Sequence, residues 1–452
     1  MLITNGTILT FGAEKRIIPG GAVYYEDDAI VAVGTTSELQ AKYPQAEKLD
    51  AEGKLIMPGS VCAHTHFYGA FARGMAIPGS APTNFMQILE QLWWKIDLAL
   101  TLEDSQVSAE VCLVDAIRHG TTTLIDHHAS PNAIDGSLDV IGGAVLQSGL
   151  RASLCYEVTD RNGTAGAKAG IAENVRWLKK VRDMRVQNHP DAERLGASFG
   201  LHAAFTVSDH TLEQCLSAAS GLDTGFHIHL AEDKADEQHS LQRYNMRVAE
   251  RLEDRGILGP KTLVAHGIHL DAYEMNSLYV TKTKLSHQPR SNMNNAAGVA
   301  PIETMLKKGI TVGLGNDGFS NNMFTEMAVA YLLHKSHQDD PRAMPADTVM
   351  ELAYDNNAKI ANIFFPKPVA ALQPGAYADI ILLDYHPFTY LTDGNYPWHI
   401  IFGVDGSRVT HTIAAGKMLM KDRHLLTMDE EAIAAKAKAL SDKVWNRVAD
   451  MK

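Results

Sequence analysis

The segment VCAHTHF, Val61–Phe67, sets His64 and His66 two residues apart. In a strand, side chains at i and i+2 share a face, so two imidazoles there can grip one cation. A lone His-x-His pair is equally at home on a solvent-facing strand. The preceding Pro58-Gly59 and the apolar run before it shift the reading toward a ligand pair. GFHIHLAED repeats the spacing with His227 and His229, and Glu232 follows His229 by three. His229 reads as a ligand and Glu232 as a carboxylate placed to carry a proton to a leaving group. His227 reads as a core or supporting histidine. TLVAHGIHL ends an apolar run on His266, a group to position an attacking water and polarise a substrate. VGLGNDG puts Asp317 after another apolar run, where a carboxylate can bind a metal and accept a proton. Asp-Gly is also ordinary turn chemistry, so Asp317 gains weight only as the last of the series.

Such groups, scattered over more than 250 positions, need a frame that brings them together. Between about Gly59 and Phe365, short apolar runs alternate with helix-like stretches. The run around Val61 is followed by TTTLID, RASLCYE, LGASFGLHA, GFHIHLAE, TLVAHGI, KLSHQ and TVGLGND, with helical spacing in SQVSAEVCLVDAIRHG and AGIAENVRWLKKVRDM. Eight strand candidates in this rhythm predict an α/β fold, a (β/α)8 TIM barrel. The chemically capable residues fall at the strand ends: His64, His66, Asp126, His127, His128, Glu157, His202, His229, Glu232, His266, His287 and Asp317. In a barrel those ends meet at one mouth.

Both ends of the chain look β-rich. Strands are expected in MLITNGTILT, GGAVYYED, AIVAVG, ADIILLDY, IIFGV and RVTHTIAAGKMLM, and a hairpin in LDAEGKLIMPG. The expectation is a small composite β-sandwich domain from residues 1–57 and 366–425, a catalytic barrel over 58–365, and a C-terminal helix over 426–452. FMQILEQLWWKIDLALT has helical texture, and Trp93 and Trp94 within it are expected to pack in the core or against a subunit.

The 452 residues are 45% hydrophobic and 21% charged, ordinary for a globular chain. A net charge of -12 argues against nucleic-acid binding and offers no basic face to anionic lipid. Four scattered cysteines without a C-x-x-C pair read as reduced thiols, and Cys62 as a small core residue. With no signal-peptide pattern and no apolar run of membrane-spanning length, a cytoplasmic protein is expected.

The ordered pieces PGSVCAHTHF, FHIHLAED, VAHGIHL and LGNDG, together with the late PGAYADIILLD, resemble the metal-dependent amidohydrolase superfamily. The His-x-x-Glu element is similar to its cytosine and guanine deaminase-like branch. DHHASP, TDRNG, HAAFTVS and RSNMNN resemble aminohydrolases of the SsnA type. The resemblance implies His64, His66, His229 and Asp317 as metal ligands, and Glu232, His266 and Asp317 as catalytic groups. It implies substrate contact by His202, with His128, Arg161, Arg290 and Asn292 as further pocket positions; Asn292 is as readily loop scaffolding. Two-metal relatives use a carbamylated lysine at a barrel strand end, whereas LGASFGLHAAF ends in His202 and has no lysine. One divalent ion is therefore expected, zinc first and iron second. Where relatives carry Thr or Ser before the metal aspartate, this chain has Asn316.

The implied activity is hydrolytic deamination of an aminated N-heterocycle (purine-, pterin- or pyrimidine-like) by a metal-activated hydroxide, releasing ammonia. A chlorohydrolase or alkylaminohydrolase acting on a triazine-like ring would use the same attack. A barrel that had lost catalysis and served as a binding scaffold should lack a ligand, and this chain retains the set. The implied partners are a small heterocyclic substrate and further copies of the chain in a homo-oligomer.

Overall fold

Nine short parallel strands, each buried, form the frame that carries the histidines. The computed structural model describes residues 1–77 and 79–451. The N-terminal strands are β1 (Leu2–Leu9), β2 (Ile17–Glu26), β3 (Ala29–Thr35), β4 (Lys48–Asp50) and β5 (Leu55–Pro58). The barrel follows with β6 (Ser60–Thr65), β7 (Thr121–Asp126), β8 (Arg151–Leu154), β9 (Leu195–Ala197), β10 (Phe199–Ala203), β11 (Phe226–Leu230), β12 (Leu263–His266), β13 (Lys284–His287) and β14 (Val312–Leu314). The chain then returns through β15 (Ile380–Leu383), β16 (Val409–Ala414), β17 (Lys417–Lys421) and β18 (His424–Leu425) to a helix over Glu430–Asp450.

The fold is the expected (β/α)8 barrel. Strands β6 to β9 pair in sequence order, as do β10 to β14, all parallel. LGASFGLHA, expected as one strand, is broken at Ser198 into β9 and β10. The break is closed by the bridge between Val158 and Leu201, and the last seam by the bridge between Thr65 and Asp317. At that seam a Cβ on Gly315 would lie 2.7 Å from the carbonyl oxygen of His64, so only glycine lets the end of β14 approach β6 this closely. Long helices such as Leu102–Arg118 and Gly163–Val186 shield the strands.

The two termini meet in one nine-stranded sheet, ordered β18-β17-β16-β15-β5-β1-β2-β3, with β4 also on β1. It has its own core, including Ile3, Ile8, Val23, Ile56, Ile380, Leu382 and Ile413. The sheet is tied to the barrel by the buried ion pair of Arg151, on β8, with Asp379. Two expectations are corrected here. LDAEGKLIMPG is not a hairpin: β4 and β5 both pair with β1 in parallel, because the turn at Glu52-Gly53 shifts the chain along one edge rather than folding it back. IIFGV is not a strand: it lies in a helix over Tyr396–Gly403, with Pro397 in the first turn, where a proline is tolerated. Among the described residues, no helix is long and apolar enough to cross a membrane.

Candidate active site

The strand period delivers His64 and His66 from β6 to the barrel mouth, and His229 arrives from β11 beside them. Asp317 follows β14 in the left-handed region at φ 57°, a strained conformation that turns its carboxylate back over β6. Its turn is held by Asn316, whose amide donates to the Ser320 carbonyl (3.0 Å) and to Asn321 Oδ1 (2.8 Å). Asn316 therefore works as scaffolding for the aspartate.

The four donor atoms converge. His66 Nε2 lies 2.8 Å from Asp317 Oδ1 and 3.2 Å from His229 Nε2, and His64 Nε2 lies 3.4 Å from Asp317 Oδ1. With metal–ligand bonds of about 2.0–2.1 Å, a tetrahedral site has ligand–ligand edges of about 3.3–3.4 Å. The opposite ring nitrogens are all engaged. Nδ1–H of His66 donates to the His127 carbonyl (2.6 Å), and Nδ1–H of His229 to the His202 carbonyl (2.8 Å). His64 Nδ1 lies 2.9 Å from His227 Nε2. Each Nε2 is thereby left to face the centre, the arrangement that metal-binding histidines share. His64 Nε2 is buried with no hydrogen-bond partner.

The electrostatics agree with this geometry. Burial drives His64 down to about 3 and holds His229 well below its ordinary value, so both rings stay neutral, the ligating form. Burial also pulls on His66, but the Asp317 and Glu157 carboxylates override it and hold the ring well above its usual range. A proton on His66 fills the electrostatic role that a cation would take at the same point. The donor set therefore fits a single divalent ion.

Beside this centre stand Glu232 and His266. Glu232 Oε2 lies 3.4 Å from His266 Nε2. Burial, reinforced by the nearby Asp317 charge, pushes the Glu232 carboxyl well above the usual carboxylate range. His266, at φ 75°, is held by Asn292, whose Oδ1 accepts from Nδ1–H at 2.9 Å. Burial lowers His266, so the ring is neutral with Nε2 as an acceptor.

The centre opens into a cavity. Its wall includes Tyr68, Phe85, Trp93, Trp94, Asp97, His202, Phe205, Glu232 and Asn295. Trp93 and Trp94 line this space, which corrects the expectation that they only pack. The helical segment that runs from Phe85 to Ala99 carries both indoles to the wall. His202 reaches the wall, its Nδ1–H on Thr206 Oγ1 at 2.7 Å.

Four expected pocket positions stand behind the wall instead. Arg161 pairs with Asp97 at 2.7 Å and stacks on Trp94, so it supports the wall rather than forming it. Arg290 is bound by Glu326 and Ser320. His128 is fully buried against Ser130, and Asn292 acts through His266. Asn295, one turn beyond Ser291, reaches the cavity, and no sequence signal singled it out over Asn292 or Asn294. Glu157 and His127 lie beneath His66 at the ends of their strands, a position the strand-end pattern did register.

Comparisons with known proteins agree with this architecture. The amidohydrolase family matches residues 55–419, and an imidazolonepropionase-like composite domain of bacteria matches residues 21–46. The chain is 30% identical over 452 residues to the 5'-deoxyadenosine deaminase of Methanosarcina mazei, covering 99% of each. It is 29% identical over 451 residues to the 5-methylthioadenosine/S-adenosylhomocysteine deaminase of Pelotomaculum thermopropionicum, again 99% of each. Its fold is similar to a zinc-bound adenosine deaminase from Xanthomonas campestris (TM-score 0.85, 23% identity, 98% of both chains). An atrazine chlorohydrolase from Arthrobacter aurescens is similar too (TM-score 0.80, 21% identity, 97% of this chain and 99% of that one). The chain belongs to the amidohydrolase family.

Proposed function

We propose that this chain is a metal-dependent aminohydrolase that removes the exocyclic amino group of an adenine-type ring, releasing ammonia. The observation that carries the reading is the Glu232–His266 pair, 3.4 Å apart, facing the three imidazoles and one carboxylate that fit a divalent ion. Zinc suits this nitrogen-rich donor set, with iron as the second choice. A bound divalent cation supplies Lewis acidity and a water acidic enough to ionise near neutral pH.

Each residue then has a task. Asp317 accepts a proton from the attacking water; Ser291 Oγ–H donates to its Oδ2 and fixes the carboxylate. His266 Nε2 orients that water. Glu232, kept protonated by burial, donates to the ring nitrogen beside the amino-bearing carbon, which makes that carbon electrophilic. The new C–O bond forms as the ring takes the Glu232 proton. The proton held on Asp317 then passes to the amino group, the C–N bond breaks and ammonia leaves, while the new hydroxyl returns its proton to Glu232, so the ring becomes a lactam and both carboxyl groups regain their starting states.

The cavity supports a neutral aromatic substrate. Tyr68, Phe85, Trp93, Trp94 and Phe205 offer apolar surface for a heterocycle, and among the described residues that line the cavity no lysine or arginine offers a charge to a phosphate. The relatives named as deaminases of 5'-deoxyadenosine and methylthioadenosine support a nucleoside of this class. The four cysteines are unpaired, which suits a cytoplasmic setting. The test is ammonia release by metal-loaded enzyme from adenosine, 5'-deoxyadenosine, 5'-methylthioadenosine, guanine and AMP. Turnover of a nucleoside with little on AMP is expected. Release of ammonia from none of them would overturn the reading.

A further inference from the structure

Glu157, just beyond β8, is 2% exposed and lies under the metal centre. Three imidazoles surround its carboxylate. His66 Nδ1 is 3.3 Å from Oε1, His127 Nδ1 is 3.4 Å from Oε1, and His202 Nε2 is 3.8 Å from Oε2. Among the described residues no lysine or arginine pairs with it, and Oε1 has no hydrogen-bond partner. A buried carboxylate without a basic partner is costly unless another positive charge compensates it. His127 is equally exposed in this sense: fully buried, with both ring nitrogens unpartnered.

The neighbouring histidines have little to give. Nδ1–H of His66 is already committed to the His127 carbonyl, and Nδ1–H of His202 goes to Thr206, whose own hydroxyl donates to the Ala203 carbonyl. A neutral His202 therefore turns a lone pair toward Glu157. The positive charge that compensates Glu157 must come from the centre itself. A divalent ion held by three neutral imidazoles and Asp317 carries one net positive charge in a buried place. One further carboxylate brings the total to zero.

We propose that Glu157 is the charge-balancing and positioning residue of the metal centre, steadying His66 through its Nδ1 side and, with His127, raising metal affinity without ligating the ion. This rests on the single-ion reading above. It assigns Glu157 no contact with substrate.

The experiment compares wild type, Glu157→Gln and Glu157→Asp, each stripped and then titrated with Zn²⁺ against a competing chelator. The melting temperature of the stripped and loaded forms is read in parallel. Outer partners of metal-bound histidines are worth roughly 10- to 100-fold in affinity. Glu157→Gln is expected to weaken Zn²⁺ binding by that factor and to lose much of the melting-temperature rise on loading, so the loaded form falls further below wild type than the stripped form does. Glu157→Asp keeps the charge and is expected to recover part of the loss. Equal Zn²⁺ affinity in Glu157→Gln and wild type would overturn the proposal alone. So would equal losses of melting temperature in both forms, which mark a structural role, or a Glu157→Asp as weak as Glu157→Gln. A wild-type chain that binds no Zn²⁺ would overturn the single-ion reading as well.

Discussion

His266 Nε2 faces Glu232 Oε2 across 3.4 Å, with neither side chain more than slightly open to solvent. One is a neutral acceptor fixed by Asn292; the other is a carboxyl that burial keeps protonated. In the proposed reaction environment rather than residue type makes Glu232 the proton donor and His266 the hydrogen-bond acceptor that holds the water.

Glu232→Gln keeps the shape and removes the proton. It is expected to retain the metal and to lose turnover by roughly 10²- to 10⁴-fold, the usual worth of a general acid. Steady-state kinetics with metal analysis on the same sample checks this. Unchanged turnover would assign the proton to another group.

Trp93 and Trp94 line the cavity where a heterocycle would stack. Trp93→Ala should weaken substrate binding by about 1–3 kcal/mol, the scale of a base–aromatic stack. The effect belongs in KM, with kcat changed much less, because stacking acts alike on bound substrate and transition state. Trp94 also carries the Arg161 guanidinium 4.6 Å from its ring, so its removal would disturb Asp97 too; Trp93 is the cleaner probe.

Asp236 gives a prediction in pH. Burial raises its carboxyl to about 7, while its Oδ2 accepts from the Ala231 amide. The folded chain thus binds this proton more tightly than the unfolded chain, whose carboxyl ionises near 3.9. Stability from this group is present below about pH 4 and falls as pH rises toward 7. Asp236→Asn removes the titration, so its unfolding free energy should decline less than that of wild type between pH 4 and 7. Denaturant melts across that range measure the difference, and parallel slopes would contradict it.

The barrel and the convergence of His64, His66, His229 and Asp317 at its mouth were legible because they rest on local rules. Period-2 spacing fixed His64 with His66, and apolar runs ending in His229, His266 and Asp317 fixed the strand ends. What failed depended on tertiary context. Strand-like IIFGV became helix because Pro397 and its neighbours start a turn that packs against the helix Met323–Gln338. LDAEGKLIMPG was misread because a turn signal does not say which partner the next strand takes. Arg161 and Arg290 were placed in the pocket on resemblance, yet buried acids at Asp97 and Glu326 hold them behind it. The indoles of Trp93 and Trp94 gave no periodic signal that distinguishes a cavity wall from a core.

Metal content of the purified chain tests the account most directly, read by elemental analysis for wild type and His66→Ala together. About one equivalent of a transition metal in wild type, and little in the variant, is the predicted result. Less than about half an equivalent in wild type after reconstitution, or equal occupancy in the two proteins, would contradict the converging set of His64, His66, His229 and Asp317.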